Sequence, residues 1–137
     1  MVIVISNETP VEQEHKIINA LFDEGLGIFH LRKPDISRKD LNQLLIKIDK
    51  WHHSKIALHQ HHELADYFGT NRLHYTEKDR ILYEHSLRNS DMSAFTLSTS
   101  IHQLASYISL PLAFEYCFLS PVFKSISKPE YHSLLTP

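Results

Sequence analysis

Polar residues able to hold an anion or move a proton recur at regular intervals along this chain. His30-Leu31-Arg32-Lys33 carries a guanidinium whose planar fork of donors suits a phosphate or diphosphate. The same residues also read as surface cations beside a loop. His59-Gln60-His61-His62-Glu63 gathers nitrogen and oxygen donors of the kind that bind zinc, copper or nickel. Its spacing matches no specific zinc pattern, and a polar turn with partly solvated histidines is the simpler reading. Thr76-Glu77-Lys78-Asp79 offers carboxylate oxygens to magnesium, while Asp79 equally favours the start of a helix through its dipole. Ser98-Thr99-Ser100-Ile101-His102 presents hydroxyls and N–H groups to an anion or simply caps a helix. A serine and a histidine two apart make no nucleophilic triad without an oriented acid. Ser125 and Ser127 lie beside Lys124 and Lys128, the composition of an oxyanion cradle.

Each of these groups follows a short apolar run. The predicted strands are Val2–Ser6, Ile28–Arg32, Lys55–His59, Arg72–Thr76, Ala94–Ser98 and Tyr116–Ser120. Amphipathic segments separate them and leave room for one helix each, which argues for parallel βαβ units. Thr9-Pro10-Val11-Glu12 reads as a capping box with Pro10 at the first helical position. Ile17, Ile18, Leu21 and Phe22 then make an apolar stripe that Gly25 can end. Ser37 is the expected cap of a second helix, in which Leu41, Leu44, Leu45, Ile48 and Trp51 face the sheet. Further helices are expected over His62–Phe68, Asp79–Leu87 and Ile101–Ile108. In parallel α/β folds reacting groups gather at the C-terminal ends of strands. Five consecutive strand ends here carry anion-compatible groups.

Length and composition bound the function. The 137 residues suit one domain over 1–137, with 42% apolar and 22% charged residues. A formal charge of −2 gives no basic field, so nucleic acid is a poor partner. No apolar run approaches a membrane span, and the N-terminus lacks the pattern of a signal peptide. A cytoplasmic protein is the simplest reading, and the single Cys117 excludes an internal disulfide framework. The turn after the first strand holds no glycine, which disfavours a dinucleotide-binding sheet. Two α/β architectures fit: an open doubly wound sheet, which that turn disfavours, and a TIM-type β/α barrel. Such barrels have eight strands, and this chain supplies about six βα units, an incomplete or unclosed barrel. Exposed edges at its first and sixth strands are a reason to form a homodimer or to be covered by other chain.

Tyr116-Cys117-Phe118-Leu119-Ser120-Pro121-Val122-Phe123, followed by Ser125-Ile126-Ser127-Lys128, resembles the sixth-strand signature of the thiamine phosphate synthase family. Other segments resemble family motifs in the same order: His30-Leu31-Arg32, His59-Gln60 with Glu63-Leu64-Ala65, Gly69 with Leu73-His74 and Asp79, and Ser100-Ile101-His102. The resemblance implies a β/α barrel that joins an aminopyrimidine methyl diphosphate to a thiazole phosphate, with Mg²⁺ as cofactor. Diphosphate leaves, a pyrimidine cation forms, and the thiazole nitrogen attacks it. It implies that Arg32 and Lys128 hold diphosphate with Ser100, Ser125 and Ser127, that Lys33 assists, and that Asp79 is a magnesium ligand. His30 stands where the family has a glutamine that orients the pyrimidine, and His59-Gln60 where it has Asn-Asp. Gln60 therefore offers magnesium only a neutral oxygen. The glycine-rich turns after strands seven and eight have no counterpart. A second reading within the resemblance is thiazole tautomerase, with His102 as acid or base. A third is a non-catalytic truncated barrel that binds a phosphate ligand or only self-associates.

Overall fold

The computed structural model describes the backbone of residues 1–89, 92–110 and 113–123, and the side chains of all of these except 84–89. Six strands alternate with helices: β1 (Ile3–Ile5), α1 (Glu14–Asp23), β2 (Ile28–Leu31), α2 (Arg38–Lys47), β3 (Ile56–Leu58), α3 (Ala65–Phe68), β4 (Arg72–Tyr75), α4 (Glu77–Asn89), β5 (Thr96–Ile101), α5 (Ala105–Ile108) and β6 (Phe114–Leu119). Short 3₁₀ turns cover Lys50–Lys55 and His62–Leu64. This is the incomplete α/β barrel class that the strand spacing predicts. Among the described residues no helix is long and apolar enough to cross a membrane. The chain divides into two compact units, Met1–His74 and Tyr75–Pro137.

In the first unit β1 pairs with β2, β2 with β3 and β3 with β4, all parallel. Register places His30 beside Ala57 and Ala57 beside Arg72. One step on, Leu31, Leu58 and Leu73 align, and the next step brings Arg32, His59 and His74 level. Side chains alternate between faces along a strand. One face therefore carries His30, Arg32, Ala57, His59, Arg72 and His74, and the other carries Phe29, Leu31, Ile56, Leu58 and Leu73. The apolar face is fully buried, together with Ile18 and Phe22 of α1 and Leu41 and Leu45 of α2. The Phe22 and Phe29 rings meet edge to face, 6.4 Å between centroids, which ties α1 to β2.

Helix α2 begins as expected. Ser37 Oγ accepts from the Asp40 N–H at 3.1 Å and donates to Asp40 Oδ2 at 2.6 Å. Gly25, at φ 94°, ends α1, and the Leu26 N–H returns to the Leu21 carbonyl. The start of α1 departs from expectation. The Thr9 hydroxyl accepts from Asn7 Nδ2, and the Thr9 carbonyl accepts from Lys33 Nζ. With both groups engaged elsewhere, Thr9 caps nothing, and α1 starts later, at Glu14, behind Gln13 in a left-handed conformation. Its buried stripe is Glu14, Ile18 and Phe22, while Ile17 is half exposed. Trp51 also departs: the chain leaves α2 at Ile48 and turns through a 3₁₀ segment, so Trp51 faces outward while His52 and His53 go inward.

In the second unit β5 and β6 pair in parallel, with an irregularity between Leu97 and Ser98. The strand runs further than predicted, because Thr99, Ser100 and Ile101 continue the ladder beyond Ser98. Helix α5 is correspondingly reduced to Ala105–Ile108.

Candidate functional site

The first unit brings three imidazoles together on the polar face of its sheet. His30 Nδ1 lies 2.9 Å from His59 Nε2, close enough for one ring to donate to the other. His59 stacks on His74, with 4.0 Å between centroids and 24° between planes, and His30 meets His74 edge to face. All three are buried. Burial, aided by Arg72, lowers the His30 pKa from 6.5 to about 4. Burial also lowers His74 to about 3, aided by His30, His62 and Arg32. His59 is held far below its ordinary range by burial first, then by His74, His30, Arg32 and His62. Ala57 contributes only a methyl between His30 and Arg72. Sequence reasoning singled out His30 and His59 but gave no role to His74. The signal available was period two: Arg72 and His74 repeat the cation-imidazole alternation of His30 and Arg32.

Arg32 follows β2. Its backbone exchanges two 2.9 Å hydrogen bonds with the Ser6 hydroxyl, which donates to the Arg32 carbonyl and accepts from the Arg32 N–H. The guanidinium pairs with Glu8 and is about one third exposed (35%). An anion approaching this fork competes with the Glu8 carboxylate.

Lys33 is 2% exposed. Its ammonium donates to the Asn7 and Thr9 carbonyls, both at 2.9 Å, and pairs with Glu14 Oε2 at 3.0 Å. All three N–H donors are thus engaged by the β1–α1 loop and the first turn of α1. The Lys33 backbone N–H donates to Gln60 Oε1 at 2.9 Å. Lys33 and Gln60 therefore fasten together the loops at the C-terminal ends of β1, β2 and β3. Beside them opens a cleft of about 610 Å³ whose lining includes Glu8, Glu14, Asp35 and Asp40 against Lys33 and Lys47. Its excess of carboxylates does not suit a diphosphate.

The second unit holds Asp79, Ser100 and His102. Asp79 closes a reciprocal cap at the start of α4: Thr76 Oγ1 donates to Asp79 Oδ2 at 2.7 Å and accepts from the Asp79 N–H at 3.1 Å. Thr76→Ala is expected to destabilise α4 by about 1 kcal/mol, read as faster amide exchange over its first two turns. Ser100 sits in β5 beside Phe118 of β6. His102 follows β5; its Nδ1 lies 2.6 Å from the Ser120 carbonyl, which orients the ring, and its Nε2 lies 3.9 Å from Glu77 Oε2. Thr76, Glu77, Lys78, Ile81 and His102 line a cleft of about 450 Å³. Ser125, Ser127 and Lys128 lie outside the described residues.

No protein-family model and no curated protein matches the chain. A solved structure does. The chain is similar to the crystal structure of thiamine phosphate pyrophosphorylase from Bacteroides thetaiotaomicron, with a TM-score of 0.74 and 31% identity over 89% of this chain. The chain spans 58% of the length of that protein. The likeness covers fold and sequence together over 89% of the chain. On these grounds the chain has a thiamine phosphate synthase-like fold.

Proposed function

We propose that this chain is a thiamine phosphate synthase-like transferase, acting on a phosphorylated pyrimidine and a phosphorylated thiazole in the cytoplasm. The observation that carries the reading is the 31% identity and TM-score of 0.74 to a thiamine phosphate pyrophosphorylase across 89% of the chain. In the proposed reaction the bond from the pyrimidine methylene to diphosphate oxygen breaks, and its electron pair leaves with the diphosphate. The thiazole nitrogen lone pair then forms the new C–N bond. The barrier falls when the departing polyanion is stabilised by fixed donors and when water is kept from the cation.

Arg32 is the described cation best placed for the first task. Its fork stands at the C-terminal end of β2, partly open to solvent, with Glu8 as the ligand to be displaced. Lys33 acts indirectly, by holding the loop that carries Glu8. Within the second unit, Asp79 has one carboxylate oxygen that Thr76 does not hold, a donor of the type magnesium takes. Gln60 fits less well, because its single oxygen is neutral and already accepts from Lys33. When bound, magnesium neutralises charge on the leaving group. The exposed Met1 and Val2 before β1 and Ile5 at its end favour a homodimer in which a second copy covers them.

The test is diphosphate release, which is expected to require both substrates and Mg²⁺; none at high protein concentration rejects the reading. Arg32→Ala is expected to weaken diphosphate binding by roughly 10- to 100-fold, the worth of charge-assisted hydrogen bonds. Its thermal unfolding should stay unchanged; calorimetric titration with unaltered affinity would remove Arg32 from the site.

A second reading, thiazole tautomerase, is favoured by one observation. His102 is oriented through Nδ1 by the Ser120 carbonyl, its Nε2 lies 3.9 Å from Glu77 Oε2, and both residues line the cleft. That activity would persist in EDTA and vanish in His102→Ala, whereas transferase activity would be lost in EDTA.

A further inference from the structure

We propose that His30, His59 and His74 form a three-imidazole site for one divalent transition metal of the zinc, cobalt and nickel class. Each residue offers a ring nitrogen, and the three nitrogens lie within 4.8 Å of one another. Zinc bound at about 2.0–2.1 Å by tetrahedral imidazoles holds their nitrogens roughly 3.3 Å apart. The 2.9 Å separation of His30 and His59 brackets that value from below, and the 4.8 Å limit from above.

The scaffold supports the geometry. His30 is in β2, His74 is in β4, and His59 immediately follows β3, so three neighbouring parallel strands fix the three Cα positions. Sites on strands hold ligand positions more tightly than sites on loops. Neutral imidazoles without a carboxylate select borderline metals over magnesium or calcium. The polar face also carries Arg32 and Arg72, and their charge acts on the cluster. A dication added there favours an anion in the fourth position, such as hydroxide or a phosphate oxygen, over neutral water. Three protein ligands is the number used by catalytic rather than structural zinc sites. Elsewhere among the described residues, His53 faces the Phe68, Leu45 and Ile48 carbonyls, His61 the Ile36 carbonyl and Glu63, His62 the Leu58 carbonyl, and His52 the Asp23 carboxylate. The metal site stands whether or not the chain transfers an aminopyrimidine.

Cobalt(II) is the probe. The full chain, freed of metal with EDTA and dialysed, is titrated with Co²⁺ and followed by visible absorption. One equivalent is expected to bind, with the intense band of four-coordinate cobalt, and X-ray absorption should count three imidazoles at about 2.0–2.1 Å. His59→Gln and His74→Gln should each weaken binding by at least ~100-fold, beyond the loss seen when supporting residues are removed. His15→Gln should bind as the parent does. Should either variant fail to fold, the imidazole count on the parent protein decides alone. Fewer than three imidazoles, no saturable single site, or unchanged binding in both variants overturns the proposal.

Discussion

Replacing Lys33 by methionine is expected to destabilise the protein by about 3–5 kcal/mol, the cost of removing one partner from a buried ion pair. The Lys33 side chain is 2% exposed and that of Glu14 is 9% exposed. Methionine fills much of the same volume but leaves the Glu14 carboxylate without its cation and the Asn7 and Thr9 carbonyls without their donor. None of these groups regains full hydration while the β1–α1 loop stays closed. Lys33→Met combined with Glu14→Gln should lose less than the two single changes added together, because the second change removes the stranded charge. Urea unfolding midpoints of the four proteins measure this. A loss below ~1 kcal/mol in Lys33→Met would mean that the ammonium is free to serve a ligand, and its place in the loop anchor would be wrong.

Acid should unfold the metal-free protein well before ordinary carboxylates titrate. The sign follows from the depressed histidines. An unfolded histidine titrates near 6.5, whereas in the fold His30 titrates at about 4 and His74 at about 3, with His59 also strongly lowered by burial. Below pH 6.5 the unfolded chain therefore binds protons that the folded chain refuses. Stability is complete above that pH and is lost as pH falls toward the folded values. Between pH 7 and pH 5 the loss is on the order of 2 kcal/mol for each histidine so buried. Urea midpoints in EDTA across that range check it. His74→Gln should flatten the slope by about one proton; equal slopes for parent and variant, or a parent curve flat from pH 7 to pH 5, would contradict the buried cluster.

These two expectations rest on residues that sequence reasoning saw differently. Lys33 next to Arg32 reads as a second cation for an anion, since adjacent basic residues at a strand end look alike in one dimension. Successive side chains nevertheless leave the backbone in opposite directions. Arg32 stays partly exposed and Lys33 enters the packing under the β1–α1 loop. Asp79 shows the reverse case. The helix-start reading was local and is visible in the reciprocal bonds to Thr76. The capping box at Thr9 had equal local merit and failed, because long-range bonds from Lys33 took the Thr9 carbonyl, with Asn7 taking its hydroxyl.

The alternation of strands and helices was legible in the sequence by itself. So were the α/β class, the end of α1 at Gly25, the Ser37 cap, and the polar character of the segments that follow β2 and β3. All of these depend on periodicity and on contacts a few residues apart, which a linear pattern records. Only the tertiary structure decided that His30, His59 and His74 meet, that Lys33 is buried, and that Trp51 is not. Those outcomes depend on the register between strands that lie dozens of residues apart in the chain. A shift of one residue in a single strand would have turned its imidazole to the opposite face, and no local pattern records that choice.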